Sequence, residues 1–331
     1  MNSAAPPLSL YRRPASLIFL DDDANYLEML ALVMPRAWSV RLFTRADDCI
    51  AHIRQKHADW EADLWAHHAI IDAWRAGSAL IPQILHYWQT HTTRYALAKV
   101  YVVDYAMPAM TGLDVLQALP YWPSERVLLT GKADELVAVT AFNQGLINRF
   151  VPKQRPDIGA YLTQILGGLR NSAMPLYEGV WRTTLRKDHY EALNSIAVAL
   201  WIEQFVAQHQ WVEYVVLGQP FGILGLDSEA RPHWLQLELV HELSAAADLA
   251  LSSGLANEKA HDIHLGLQLA NTELLMALQQ DLPSATAKTF SLGPSSGILG
   301  ALFELPDIVQ TGPSYKQFLA KLPLRDTDQA A

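Results

Sequence analysis

Three aspartates in a row, Asp21, Asp22 and Asp23, follow the apolar run SLIFL (16 to 20), and another acid, Asp104, follows KVYVV (99 to 103). Thr130 closes RVLLT (126 to 130), and Lys153 ends NRFVPK (148 to 153). Carboxylates packed together repel one another, and burial sharpens the repulsion unless a cation neutralises them. Mg²⁺ does so through a few carboxylate and carbonyl oxygens, with water filling the rest of its octahedron. A carboxylate oxygen can then attack a phosphoryl group whose spread charge is stabilised by an ammonium and a hydroxyl as well as the ion. These residue types point to acceptance of phosphate.

The elements that must hold them are legible from spacing. After SLIFL, ANYLEMLALVM places apolar residues at helical intervals and stops before Pro35, which predicts a strand followed by a helix. WSVRLF (38 to 43) reads as a strand before the helix RADDCIAHIRQK, and KVYVVD (99 to 104) as a strand before the helix TGLDVLQAL, ending at Pro120. RVLLT precedes a helix over ADELVAVTAFNQG, and NRFVPK precedes RPDIGAYLTQILGGLR. Five strands alternating with helices predict an α/β doubly wound parallel sheet covered on both faces. Ligands of such sheets bind beyond the carboxyl ends of the strands, where Asp21, Asp22, Asp104, Thr130 and Lys153 all fall.

One gap interrupts the alternation. Residues 57 to 97 stand where a compact connection takes about 2 to 6 residues. Their own apolar spacing, through Trp60, Leu64, His67, Ile71 and Trp74, predicts a helical insertion. Six of the twelve histidines lie between 52 and 91, but not at i and i+4 on one face beside a carboxylate, so core or contact roles are expected rather than a metal site.

Charge divides the chain. Residues 1 to 170 carry 16 Lys plus Arg against 16 Asp plus Glu, whereas 171 onward carry 9 against 18. A duplex-binding domain needs a basic face, so DNA binding by the acidic part is not expected. The single cysteine, Cys49, leaves no internal disulfide and fits a reducing compartment. The start lacks the apolar core of a signal peptide and no apolar run nears about 18 residues, so a cytoplasmic location is expected.

The ordered strings LDDD, VVDYAMPAMTG, LLTGKADE and FVPK make residues 16 to 170 resemble the receiver domain of two-component response regulators, a flavodoxin-like fold of the chemotaxis-regulator type. The resemblance implies that Asp104 is the phosphoacceptor, and that Asp21, Asp22, Asp104 and the backbone carbonyl of Ala106 hold Mg²⁺. It further implies that Thr130 and Lys153 contact the phosphoryl oxygens, that Thr130 and Phe150 form the switch, and that a sensor histidine kinase or phosphotransfer protein is the phosphodonor. Asp23 is expected to cap the following helix. Gln154 replaces the proline that usually follows the lysine, with Pro152 before it, and the insertion lengthens the interval from Asp22 to Asp104.

Residues 1 to 15 are read as a tail, 16 to 170 as the receiver, and 171 to 331 as an output domain. In the latter, LRKDHYEALNSIAVALWIEQFVAQH predicts one helix; WVEYVVLG, FGILGLD and HWLQLELV predict strands; a helical stretch covers about 243 to 281; TAKTFSLG and GILGALFEL predict two further strands. Strands this close in sequence predict an α+β domain with a largely antiparallel sheet. Some quorum-sensing response regulators of the Lqs type are similar in plan. The expected function is a regulator switched by phosphorylation, homodimerising on phosphorylation or acting through protein contact or a small ligand. An alternative makes the output domain a metal-dependent enzyme acting on a nucleotide or phosphoester, with Asp227, Glu229 or Asp262 as ligands. His261 and His264, three apart on one predicted helix, suit a metal or base no better than an ordinary helix surface.

Overall fold

The computed structural model describes residues 8–119, 124–131, 135–293, 296–305 and 311–322. The Lys132–Asp134 part of LLTGKADE, the Pro120 helix end and residues 1–7 of the expected tail lie outside them. The described residues form two compact units, one within 14–63, 93–172 and 317–322, the other within 8–13, 64–92 and 173–316.

The first unit is built on five parallel strands in the order Val40–Phe43, Ser16–Leu20, Ala98–Asp104, Glu125–Thr130, Arg149–Pro152. Strand side chains alternate between faces, and here both faces are apolar and buried. Leu17, Phe19, Val100, Val102, Val127, Leu129 and Val151 pack against Leu27 and Leu30 of helix Ala24–Val33 and Leu162 and Leu166 of helix Ile158–Asn171. Ile18, Leu20, Tyr101, Val103 and Leu128 face the opposite way, onto Cys49, Ile50, Val115, Leu116, Ala138 and Ala141. A strand buried on both sides brings its last residue to the sheet edge already stripped of most water. Asp21 and Asp104 are accordingly buried.

The second unit is centred on a six-stranded antiparallel sheet in the order Tyr11–Arg12, Trp211–Gly218, Phe221–Asp227, Pro232–Leu239, Ile298–Glu304, Phe290–Ser291. The expected α+β output architecture is therefore present. The expected tail over 1–15 is in part structured, because Tyr11 and Arg12 pair with Val215 and Tyr214. Of the insertion expected at 57–97 within the 16–170 span, residues 64–92 group with this second unit rather than with the parallel sheet. It is helical, carried by Ala46–Arg75 and Leu80–Thr90.

Two helical expectations need correction. The helix predicted over 185–209 is two helices, Lys187–Leu193 and Ile196–Gln208. The stretch at 243–281 is three helices, Leu243–Ser252, Asn257–His264 and Thr272–Ala277, with a strand Gln268–Ala270 paired to Thr286–Lys288. Glycine stops explain the breaks in the latter: Gly254 and Gly266 take φ of +90° and +69°, and the amides of Leu255 and Leu267 reach back to the carbonyls of Ala250 and Asp262.

His67 shows what the histidine-rich segment does. It is buried among Tyr11, Tyr87, Tyr177 and Trp181, and its Nδ1 accepts from Trp181 Nε1 at 3.1 Å. Indole nitrogen only donates, so Nδ1 is the unprotonated nitrogen and is spent on packing.

Candidate functional site

Asp104 ends its strand opposite Leu129, so Thr130 lies one residue beyond that pair on the neighbouring strand. Lys153 immediately follows the next strand, and its amide donates to the Thr130 carbonyl at 2.9 Å, which fixes the lysine backbone against the sheet end despite Gln154 behind it. Lys153 Nζ then stands 2.7 Å from Asp21 Oδ2 and 2.9 Å from Asp104 Oδ1. Asp22 completes the acids: one carboxylate oxygen from each of Asp21, Asp22 and Asp104 lies within 4.8 Å of the others, with Asp22 exposed. Asp23 turns away to cap helix Ala24–Val33, its Oδ1 accepting from the Asn25 and Tyr26 amides.

The electrostatics follow from this crowding. Burial pushes the Asp21 carboxyl up, and the Asp104 charge adds to it, while the lysine and the Asp23 amide pull the other way. Burial alone would lower the Lys153 ammonium, yet its bonds to the two aspartates carry it above its ordinary value, so it holds its proton. One ammonium balances one of the three carboxylates. Thr130 Oγ1 is buried at the same sheet end without a hydrogen-bond partner. A buried orphan hydroxyl is costly unless a ligand completes it.

The loop after Asp104 turns sharply. Gly112 N donates to Tyr105 O at 2.9 Å, and Thr111 and Asp114 form a capping box that starts helix Gly112–Ala118. Ala106 lies in this loop and is exposed. Phe150, opposite Leu128 on the last parallel strand, packs at the margin of the core that contains Val103 and Leu128. Asp21, Asp22, Asp104 and Lys153 thus meet directly, with Thr130 at the adjoining strand end.

Two contributors were not singled out from sequence. The Tyr26 ring lies under Lys153 Nζ, 4.8 Å from its centroid, and its phenol is pushed up to about 12, first by burial and then by Asp21 and Asp104. Gly112 is the other: a Cβ there would stand 2.2 Å from the Asp104 carbonyl oxygen. Its position eight residues past the acceptor carried no local signal beyond the turn. The acids of the alternative enzyme reading are apart. Asp227 is bonded to Arg231 and the turn amides, Glu229 to Lys316, and Asp262 to Gln268. Among the described residues the groups able to share an ion are Asp21, Asp22 and Asp104, and Asp188, His189 and Glu242.

No family model matches the chain, and no curated protein does. Among solved structures, the Legionella pneumophila response regulator LqsR is similar at 22% identity, covering 97% of this chain and 98% of its own, with a TM-score of 0.71. The adenylate cyclase from Rhodopirellula baltica is 22% identical over 51% of this chain and 94% of its own, at a TM-score of 0.29. A response regulator receiver domain protein (CheY-like) from Methanospirillum hungatei JF-1 is 15% identical over 47% of this chain and 94% of its own, also at 0.29. Scores that low carry no weight. The likeness to LqsR is one of fold along nearly the whole chain: a receiver-like parallel sheet and a second antiparallel sheet.

Proposed function

We propose that this chain is a two-component response regulator, switched by phosphorylation of Asp104 and acting through an output domain that does not bind DNA. The observation that carries the reading is the junction at the parallel sheet's carboxyl end, where Lys153 bridges Asp21 and Asp104 beside the orphan hydroxyl of Thr130.

The clustered oxygens fit a hard divalent ion, since three carboxylates there face one ammonium. Asp21, Asp22, Asp104 and the Ala106 carbonyl would hold Mg²⁺, which when bound would neutralise the carboxylates and the charge of an incoming phosphoryl group. Asp104 attacks phosphorus through a carboxylate oxygen; the bond from phosphorus to the donor histidine nitrogen breaks, and an acyl phosphate forms on Asp104. Lys153 keeps its proton and transfers its contact from the Asp104 oxygen to a phosphoryl oxygen. Thr130 Oγ1 donates to another, which satisfies the hydroxyl left unpaired in the free chain. As Thr130 moves toward the phosphoryl group, Phe150 on the adjacent strand repacks, and the altered face is read as a change in homodimer, protein or small-ligand contact. The donor would be a sensor histidine kinase or a phosphotransfer protein.

The test is incubation with acetyl phosphate and Mg²⁺, followed by intact mass and by light scattering. One phosphoryl group per chain, lost when EDTA is added beforehand, is expected, together with a shift in assembly. A chain that never gains mass contradicts the proposal.

The acyl phosphate should be long-lived. Ala106, two residues beyond the acceptor, has no polar group to steer water onto the phosphorus, so label on Asp104 should persist for minutes or longer in buffer. Ala106→Asn should shorten its lifetime about tenfold or more, less than the roughly hundredfold or greater contribution of a positioned general acid or base, because an amide only orients the water. Decay of the unaltered chain within seconds would contradict this role for position 106.

A further inference from the structure

The antiparallel-sheet unit contains a cavity of about 540 Å³ that phosphorylation of Asp104 does not use. Glu238 on strand Pro232–Leu239, Glu242 in the turn after it and Glu273 on helix Thr272–Ala277 line it, together with His189 and apolar groups including Phe221 and Leu249. A second recess of about 570 Å³ shares Trp74, Leu249 and Glu273 with it and continues past Leu80 and Met276. Recesses of this size take small organic molecules.

The polar groups are out of balance. Arg186 is the cation at the wall, and it is already committed to Asp188 and Glu242. Glu273 accepts a bond from Gln236, but the Glu238 carboxyl has neither a hydrogen bond nor an ion pair among the described residues. Burial first, and then the charges of Glu273 and Glu242, push that carboxyl up to about 8. His189 supplies an independent sign. It is 2% exposed, its ring is stacked on Phe221 at 3.9 Å, and neither ring nitrogen has a hydrogen-bond partner. Its Nε2 stands 3.8 Å from Glu242 Oε2, beyond hydrogen-bond reach. A buried imidazole whose Nδ1 has no partner and whose Nε2 has only the loose contact with Glu242, lining an acidic cavity, is a site with polar capacity to spare.

We propose that this cavity binds a small organic cation, an amine or amidine on an apolar body, whose charged group is received by Glu238 and Glu273 and hydrogen-bonds His189, while Phe221, Leu249 and Trp74 pack the body. An anion fits poorly, because Arg186 is already committed and a negative charge would push the Glu238 and Glu273 carboxyls up further, whereas a bound cation draws them to their charged form. A metal ion at Asp188, His189 and Glu242 fits less well, because Arg186 and the His189 amide already occupy the Asp188 oxygens, and such an ion leaves most of the cavity unexplained. An organic cation supplies the missing charge, the missing donor and the apolar filling together.

The test is calorimetric titration of the full, unphosphorylated chain with benzamidine and phenethylamine, alongside 2-phenylethanol, 3-phenylpropionate and MnCl₂. Because no phosphodonor is present, the outcome is independent of the Asp104 reading. Saturable binding of a cation is expected, with the alcohol and the acid bound about tenfold more weakly or not at all, since a charge-assisted bond is lost. Glu238→Gln, which keeps the side-chain shape, should weaken the cation about tenfold or more, and Glu273→Gln provides the same check if Glu238→Gln misfolds. Exposed Glu191→Gln should leave binding unchanged. Failure of both cations to bind at millimolar concentration, equal binding of the alcohol, or indifference to both substitutions would overturn the proposal. Saturation by Mn²⁺ that excludes the amines would overturn it in favour of a metal site.

Discussion

Asp104→Asn should abolish the phosphoryl adduct while leaving the fold intact. The substitution replaces the attacking carboxylate oxygen with an amide, which has the same shape but little nucleophilicity. Its side-chain oxygen can still accept from Lys153, so the ammonium that now lies 2.9 Å from Asp104 Oδ1 is not stranded. The change also removes one of the charges that raise Asp21, which leaves Asp21 more readily ionised and paired with Lys153. Stability should therefore hold or rise slightly, and the loss should appear in mass spectra after acetyl phosphate treatment rather than in a melt. A substituted chain that still gains a phosphoryl group at the rate of the unaltered one would place the acceptor elsewhere.

Gly112→Ala should cause the largest structural disturbance at the site without touching a reactive group. A Cβ at 112 would lie 2.2 Å from the Asp104 carbonyl oxygen and 2.9 Å from its carbonyl carbon, with Val103 Cγ1 at 3.0 Å. Two of these three atoms belong to the backbone of the acceptor itself, so relief means moving Asp104 or the turn that Gly112 closes onto Tyr105. Overpacking costs roughly 1–3 kcal/mol, and the upper part of that range is expected where the obstacle is backbone. A displacement of about 1 Å at a reacting group can slow chemistry about a hundredfold, so adduct formation should slow by about tenfold to a hundredfold. Gly168→Ala is the control. It sits exposed in helix Ile158–Asn171 with no atom within 4 Å of a new Cβ, and should stabilise the chain by about 0.5–1 kcal/mol. Urea melts and the rate of mass gain separate the two: equal effects of the two substitutions would contradict the close approach at Gly112.

What the sequence disclosed depended on how local each feature was. SLIFL, KVYVVD and RVLLT are buried on both faces, so each reads as an unbroken apolar run, and the reactive residue that stops the run marks the sheet end. The register then brings Asp104 level with Leu129 and so aligns those ends. Features made by distant pairing left little trace. Tyr11 and Arg12 form only a two-residue strand whose partners lie some 200 positions on, and nothing in YRRP states which sheet they join. Tyr26 belongs to an ordinary amphipathic pattern, and only the fold sets its ring beneath Lys153. The breaks at Gly254 and Gly266 were present in the letters, but apolar periodicity across 243–281 concealed them. The Glu238 cavity was invisible because its acids come from separate elements and each, taken alone, reads as a solvated charge.

The most direct test of phosphoryl transfer to Asp104 is to treat the acetyl phosphate product with borohydride, which reduces an aspartyl phosphate to homoserine, and to locate that residue by peptide mass mapping. Homoserine is expected at position 104 and at no other aspartate, including Asp21, Asp22 and Asp23. Homoserine at a different position, or an adduct that resists borohydride, would contradict transfer to Asp104.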